Sequence, residues 1–332
     1  MSSSFRIGFD SNPKTKGGLF VDVAPRKGIL AYLPESWVPY AELIRLEKPI
    51  GFAIVYLPYV MGILYGACIA PEPLPVSALL YRARVFLLWS LVLRGAGCAY
   101  DDIVDQDLDR QVDRCRTRPI PRGAITTTQG WLFTTGLSLV GFFSLSLLPW
   151  ECTIDAGIIT LLSLIYPFMK RFTNYTQVVL GLAIGFAIIM AAHSFDVDPL
   201  ARSTYVPTLC LWFAVGFLMM LYDIIYARQD TKDDVKAGVK SMAVRYRHHV
   251  KAVTSLLAFA VAGLLATTGI YTGMGPMYYL IAVGGTCSSL WAMIGLMDLE
   301  SPSNYPRFCA GAYVLTSISV IGGFTAEYME NS

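Results

Sequence analysis

Residues 101–113 read DDIVDQDLDRQVD and hold six carboxylates in a chain that is otherwise largely hydrocarbon. On a helix, Asp102, Asp105, Asp109 and Asp113 fall at offsets of zero, three, seven and eleven and share roughly one side. Carboxylates crowded in this way repel one another and call for a positive partner. The hard cation that takes oxygen ligands and commonly shares them with phosphates is Mg²⁺. A second segment, residues 222–241 (YDIIYARQDTKDDVKAGVKS), repeats the same offsets in Asp223, Tyr226, Asp230 and Asp234. A solvated acidic helix end accounts for either segment alone, whereas two matched segments on one side of a membrane suit a metal held between them. Cations lie around both: Arg114, Arg116, Arg118 and Arg122 after the first, Lys170 and Arg171 farther on, Lys240 in the second. Carboxylates, metal and fixed cations together make a site for a diphosphate, with Arg forks and Lys point charges taking the oxygens that the metal leaves free. Orientation in a membrane would also gather cations on this side.

The elements that carry these residues are membrane spans. The chain has 332 residues, 55% of them hydrophobic and 15% charged, with a mean hydropathy of +0.51, which is too apolar for an ordinary soluble domain. Nine stretches are long enough to cross a bilayer, at about 50–70, 79–99, 126–148, 153–169, 176–192, 206–227, 252–271, 276–296 and 308–328. Nine spans divide the Lys and Arg residues twenty-two to one side and three to the other, with Arg94 inside a span. That asymmetry predicts a cytosolic N-terminus and puts both acidic segments on the cytosolic face. The net charge of +2 says little about partners, and nucleic-acid binding finds no support because no basic stripe lies on a soluble module. Seven scattered cysteines without a CxxC pair predict neither disulfides nor zinc. The three histidines read as structural.

Residues 1–49 form a polar N-terminal cytosolic segment ahead of a transmembrane domain at 50–328. The segment has no signal-peptide core, and Asp10, Asp22 and Glu35 interrupt its basic residues, so neither a secretory signal nor a mitochondrial presequence is expected. Residues 42–52 (ELIRLEKPIGF) read as a short interfacial helix stopped by Pro49.

These motifs resemble the UbiA superfamily of intramembrane prenyltransferases, whose signatures are NDxxDxxxD and DxxxD. The chain has Asp101, Asp102, Asp105 and Asp109 in the first register and Asp230 and Asp234 in the second. It also carries RLEKPIG, RTRPIPRG (116–123), YPFMKRFT (166–173) and GVKS (238–241) in the order of the 4-hydroxybenzoate polyprenyltransferase branch. Two positions depart from the pattern: Asp101 stands in place of Asn, and Gln106 stands where some members carry Arg. The resemblance implies an all-α bundle of about nine transmembrane helices around a central cavity, capped by cytosolic Asp-rich loops. It implies Mg²⁺ held by Asp102, Asp105, Asp109, Asp230 and Asp234, and a prenyl diphosphate contacted by Lys170, Arg171 and Arg116. The metal would neutralise the leaving diphosphate, and the apolar cavity would shield an allylic cation until an electron-rich aromatic ring attacks. Arg94 is placed either to receive an acceptor carboxylate or a phosphate, or to snorkel toward the cytosolic end. Arg45 is weighed in the same way.

The expected activity is transfer of a farnesyl-like group onto a phenolic acid or aromatic polyketide, as in fungal meroterpenoid pathways, by an enzyme of the endoplasmic reticulum or a related membrane. Other readings are polyprenylation of 4-hydroxybenzoate for ubiquinone and, within the same superfamily, a membrane terpene cyclase. From another class comes a transporter or divalent-cation channel. That last reading is disfavoured because the carboxylates cluster at span ends and not near the midplane.

Overall fold

The computed structural model describes residues 28–297 and 305–331. Arg307, one of the cations counted for orientation, and most of the polar N-terminal segment lie outside the described side chains. Among the described residues the chain is all-helical. Its elements are α1 (Val38–Leu43), α2 (Ile50–Ile69), α3 (Val76–Val104), α4 (Gln106–Asp109), α5 (Thr127–Ser144), α6 (Trp150–Phe172), α7 (Thr176–Gly185), α8 (Ala187–His193), α9 (Tyr205–Ala227), α10 (Thr231–Ala237), α11 (Met242–Arg245), α12 (Val250–Thr272), α13 (Pro276–Tyr278), α14 (Gly285–Leu296) and α15 (Tyr305–Asn331). A π-helical stretch, Tyr279–Gly284, joins α13 to α14. Nine helical segments among the described residues are long and apolar enough to cross a membrane, in agreement with the nine expected spans.

Large apolar side chains such as Leu132, Phe143, Leu161, Leu256, Phe259 and Leu280 are exposed. This is the surface a lipid-facing bundle presents. Lipid gives helices no hydrophobic reason to associate, so close packing must do it. At the crossing of α7 and α9, a Cβ on Gly181 would lie 2.6 Å from the Gly216 carbonyl oxygen, so the two backbones meet where both positions lack side chains. The helix α9 packs against α12, α7 and α15, and its buried residues extend nearly all round, from Leu211 to Ile225. It therefore runs through the centre of the bundle, carries Asp223 in its last turns and leads on to Asp230.

Two local features differ from the expected pattern, and both bear on the site. The second span does not stop at Ala99: α3 continues to Val104, so the first acidic segment begins inside a membrane helix. The stretch around residues 42–52 is not one helix. α1 ends at Leu43, Arg45 adopts φ +59°, and Pro49 caps the start of α2, because proline fits a helix beginning and not its interior. A left-handed arginine is strained by about 1–2 kcal/mol. It is held by hydrogen bonds from its guanidinium to the Glu42 carbonyl and to Asp102.

Candidate active site

A cavity of about 950 Å³ opens between α2, α3, α6, α7 and α9. It sits near the upper end of the ~300–1,000 Å³ range that encloses small-molecule ligands. Both acidic segments reach it. From the first come Asp101, Asp105 and Asp109. The backbone N–H of Asp105 donates to the Asp101 carbonyl, and that of Asp109 to the Asp105 carbonyl, each at 2.8 Å. The helical turn therefore continues across the junction of α3 and α4, and residues four apart share a face.

That register corrects the expected face. Asp102 is fully buried but does not line the cavity; it accepts two bonds from Arg45, at 2.5 and 3.1 Å, and one from Arg118 at 3.1 Å. Asp113 is 76% exposed and pairs with Arg116. From the second segment, Asp223, Asp230 and Asp234 line the cavity. α9 continues through a 3₁₀ turn, Arg228–Asp230, directly into α10.

The cations are arranged differently from the expected set. Lys170, near the end of α6, lines the cavity and its ammonium pairs with Asp105. Arg171 is one residue farther round the same helix and points away, to Asp107 at 2.8 Å and the Val104 carbonyl at 3.0 Å. Arg116 is half-exposed outside the lining. Arg114 and Arg118, which sequence reasoning did not select, point inward. They are one turn apart in a segment folded by successive turn hydrogen bonds, so Arg116 between them faces out. Arg118 reaches Asp109 at 2.6 Å. Arg114 forks onto Asp230, with bonds of 2.6 to 3.1 Å, and so ties the loop after the first acidic segment to the second. Gln106 stays out of the lining; it donates to the Ile103 carbonyl and accepts from Thr127.

Arg45, Lys48 and Arg94 also line the cavity. Burial lowers the affinity of the Lys48 ammonium for its proton, and Arg45 and Arg114 lower it further. Burial pushes the Asp109 carboxyl upward, against the pull of Arg118. Farther in, the walls are Ile54, Val55, Leu180, Ile184, Met219 and Tyr222. The site is thus charged at one end and apolar at the other. His193, by contrast, pairs with Asp155 at 2.7 Å and takes no part in the lining.

Among the described residues, no three acidic, His or Cys side chains converge closely enough to hold a metal by themselves. One observation still favours a cation here. The Oδ1 atom of Asp105 is buried without a hydrogen-bond partner, and an orphaned carboxylate oxygen inside a protein is costly unless something positive meets it. The carboxylates at this end of the cavity offer oxygen ligands, the kind that suits Mg²⁺.

Helices spanning a membrane around a cavity with an acidic and basic mouth and an apolar interior define the class to which this chain belongs. Residues 54–316 match the UbiA prenyltransferase family, and the chain is a member of it, an integral membrane enzyme that transfers prenyl groups. The chain is 46% identical over 305 residues to the prenyltransferase ascA of Acremonium egyptiacum, covering 92% of this chain and 89% of that one. It is 39% identical over 303 residues to the DMOA farnesyltransferase nvfB of Aspergillus novofumigatus, covering 91% and 95%. Its fold matches a UbiA homolog from Archaeoglobus fulgidus solved with GPP and Mg²⁺, with a TM-score of 0.67 at 18% identity over 88% of this chain and 99% of that one.

Proposed function

We propose that the enzyme is Mg²⁺-dependent and moves a farnesyl group from its diphosphate onto a phenolic acid, in the assembly of a fungal meroterpenoid. The observation that carries this reading is the polarity of the cavity, with the orphaned Asp105 oxygen at its charged end and an apolar wall beyond it. Support for the donor comes from the name of the Aspergillus farnesyltransferase and from the Archaeoglobus homolog solved with a prenyl diphosphate and Mg²⁺.

In this reading Asp101, Asp105, Asp109, Asp230 and Asp234 hold the metal. Bound Mg²⁺ supplies Lewis-acid neutralisation of the departing diphosphate. Lys170, Arg114, Arg118 and Lys48 provide fixed positive charge around the same oxygens, where preorganised cations act most strongly on developing charge. Asp102 serves from behind: it receives no ligand but locks Arg45 and Arg118 in place. The apolar wall keeps water from the allylic cation. Arg94 receives the acceptor's carboxylate; among the described residues its guanidinium has no carboxylate partner and donates only to the Cys98 sulfur, at 3.0 Å. The catalytic unit is the membrane domain from residue 50 onward. The N-terminus and the charged mouth face the cytosol, and the membrane is the endoplasmic reticulum or one related to it.

The test is direct. Purified full-length protein in detergent, given Mg²⁺, farnesyl diphosphate and a panel of phenolic acids, is expected to yield C-prenylated product that chelation abolishes and Mg²⁺ restores. Absence of product across the panel, or turnover indifferent to chelator, would overturn the assignment.

A further inference from the structure

The cations at the mouth end of the bundle fall into two groups. Arg114, Arg118, Arg122, Lys170 and Arg171 each pair with a carboxylate. Farther along, residues 235–251 (VKAGVKSMAVRYRHHVK) hold five Lys and Arg and no acid. Lys236 reaches back to Asp233. The other four, Lys240, Arg245, Arg247 and Lys251, are exposed and have no carboxylate partner among the described residues. Orienting a protein in a membrane requires only that basic residues lie in the loop. It does not require that they be left without counter-ions.

The setting of these cations is that of lipid headgroups. Arg245, Arg247 and Lys251 fall within seven residues at the start of α12. At the neighbouring span ends, Phe172 of α6 and Tyr175 ahead of α7 are both exposed, and aromatic side chains at such ends belong to the interface between hydrocarbon and water. The Arg245 guanidinium lies over two rings, with its central carbon 5.6 Å from the centre of Tyr175 and 5.8 Å from that of Tyr246, within reach of their attraction for a cation. The two hydroxyls meet at 3.2 Å, which joins the start of α7 to the end of α11. A guanidinium steadied in this way, with no carboxylate in its fork, is suited to a phosphate.

The same segment is fastened to the active site. The Lys240 backbone N–H donates to the Lys170 carbonyl, and that of Val239 to the Asp234 carbonyl, each at 2.9 Å. The Met242 N–H donates to Gln177 Oε1 at 3.0 Å, and Gln177 Nε2 donates to Asp223 Oδ2 at 3.0 Å. Whatever steadies residues 240–247 therefore steadies the end of α10 and, with it, the second acidic segment.

We propose that Arg245, Arg247 and Lys251 bind the headgroup phosphates of anionic phospholipids, and that this contact holds the loop bearing Asp230 and Asp234 in the arrangement that takes the donor. In the orientation proposed above this end of the bundle faces the cytosol, whose leaflet carries the anionic lipids and draws basic segments beside a span. The effect on the donor rests on the function proposed above; the lipid contact does not.

The test places the full-length protein in nanodiscs of phosphatidylcholine alone or mixed with phosphatidylserine, which present both leaflets alike and so do not depend on orientation. Lipid kept by the protein after extraction into mild detergent is then quantified. The wild-type protein is expected to retain phosphatidylserine over phosphatidylcholine by at least about fivefold, the effect of one basic side chain at an anionic surface. High salt, or the triple variant Arg245→Gln, Arg247→Gln, Lys251→Gln, should erase that preference. Equal thermal unfolding of variant and wild type in phosphatidylcholine shows that the variant is folded. The double variant Arg247→Gln, Lys251→Gln, which leaves the ring-stacked arginine in place, should lose part of the preference. Phosphatidylserine should also tighten binding of the thio analogue of farnesyl diphosphate, with Mg²⁺ present, by a larger factor in the wild type than in the triple variant.

A preference that survives salt or the triple variant would overturn the lipid site. So would an equal rise in unfolding temperature from millimolar inorganic phosphate, which would give the patch to a soluble anion. Lipid retention as expected with the same gain in analogue affinity in both proteins would overturn the link to the acidic loop. If lipid is retained as expected but the analogue binds in neither disc, the donor assignment fails and the lipid site stands.

Discussion

The acidic segments at the ends of α3 and α9 both carry carboxylates four residues apart, Asp105 and Asp109 in one and Asp230 and Asp234 in the other, but are built differently. The first is braced from three sides: Arg45 from the N-terminal strap, Arg118 from the following loop and Lys170 from α6. The second is held at Asp230 by Arg114, a residue of the first segment's own loop, while Asp234 and Asp223 form no ion pair among the described residues. One side of the mouth is thus a rigid, pre-neutralised wall. The other is a set of carboxylates open to whatever cation arrives, fastened to the first by one arginine fork. The difference teaches that a symmetric motif does not imply symmetric duty.

Four substitutions would break or sharpen that contrast. Asp105→Asn should have the largest effect, at least about 100-fold in turnover, because it removes the carboxylate charge that would meet the metal and that pairs with Lys170. A loss smaller than tenfold at saturating Mg²⁺ would show that the braced side is dispensable for metal. Arg114→Ala comes next. It uncouples the two sides and leaves Asp230 unpaired, so a drop of about 2 kcal/mol in stability should appear in thermal unfolding, together with weaker donor binding. Unchanged melting would deny the fork its tying role.

Gly51→Ala probes the deeper layer. The new Cβ would fall 2.2 Å from Arg94 Nη2, and a long side chain can swing aside without unfolding the helix. The acceptor KM should rise about tenfold from misplacement of the guanidinium, with the donor KM little changed; equal shifts in both would argue that Arg94 serves the diphosphate. Arg116→Ala should do least, within about twofold in turnover, since its side chain pairs on the surface with Asp113 and such pairs contribute little. A large loss there would mean that the loop reorganises when donor binds.

Much of this was legible in the residues. The nine spans follow from apolar length, and the two acidic segments stand out because charge is expensive in such a chain. The choice among neighbours was not legible. Counting offsets from Asp102 gives a plausible face, but Asp101 lines the cavity, because the helix keeps its i−4 bonds through Asp105 and the four-residue spacing decides the register. A stricter reading of Asp101, Asp105 and Asp109 as one helix stripe would have found it. In the arginine-rich loop the same spacing pairs Arg114 with Arg118 and excludes Arg116, yet nothing in the sequence said that the loop winds in helical turns. Gln177 carried no signal, being one polar residue at the start of an apolar run. Its amide is oriented by the Met242 backbone N–H, 65 positions away.

The sequence by itself determined the environment and the ingredients: a membrane bundle, two carboxylate segments and a surplus of cations beside them. Those properties come from composition and short-range spacing, which act along the chain. Tertiary structure decided which charges meet, that Asp102 lies behind the wall paired with Arg45 and Arg118, and that Arg114 joins the two acidic segments. Such pairings depend on the rotation and offset of helices far apart in sequence, and these are settled only when side chains close-pack around a common cavity.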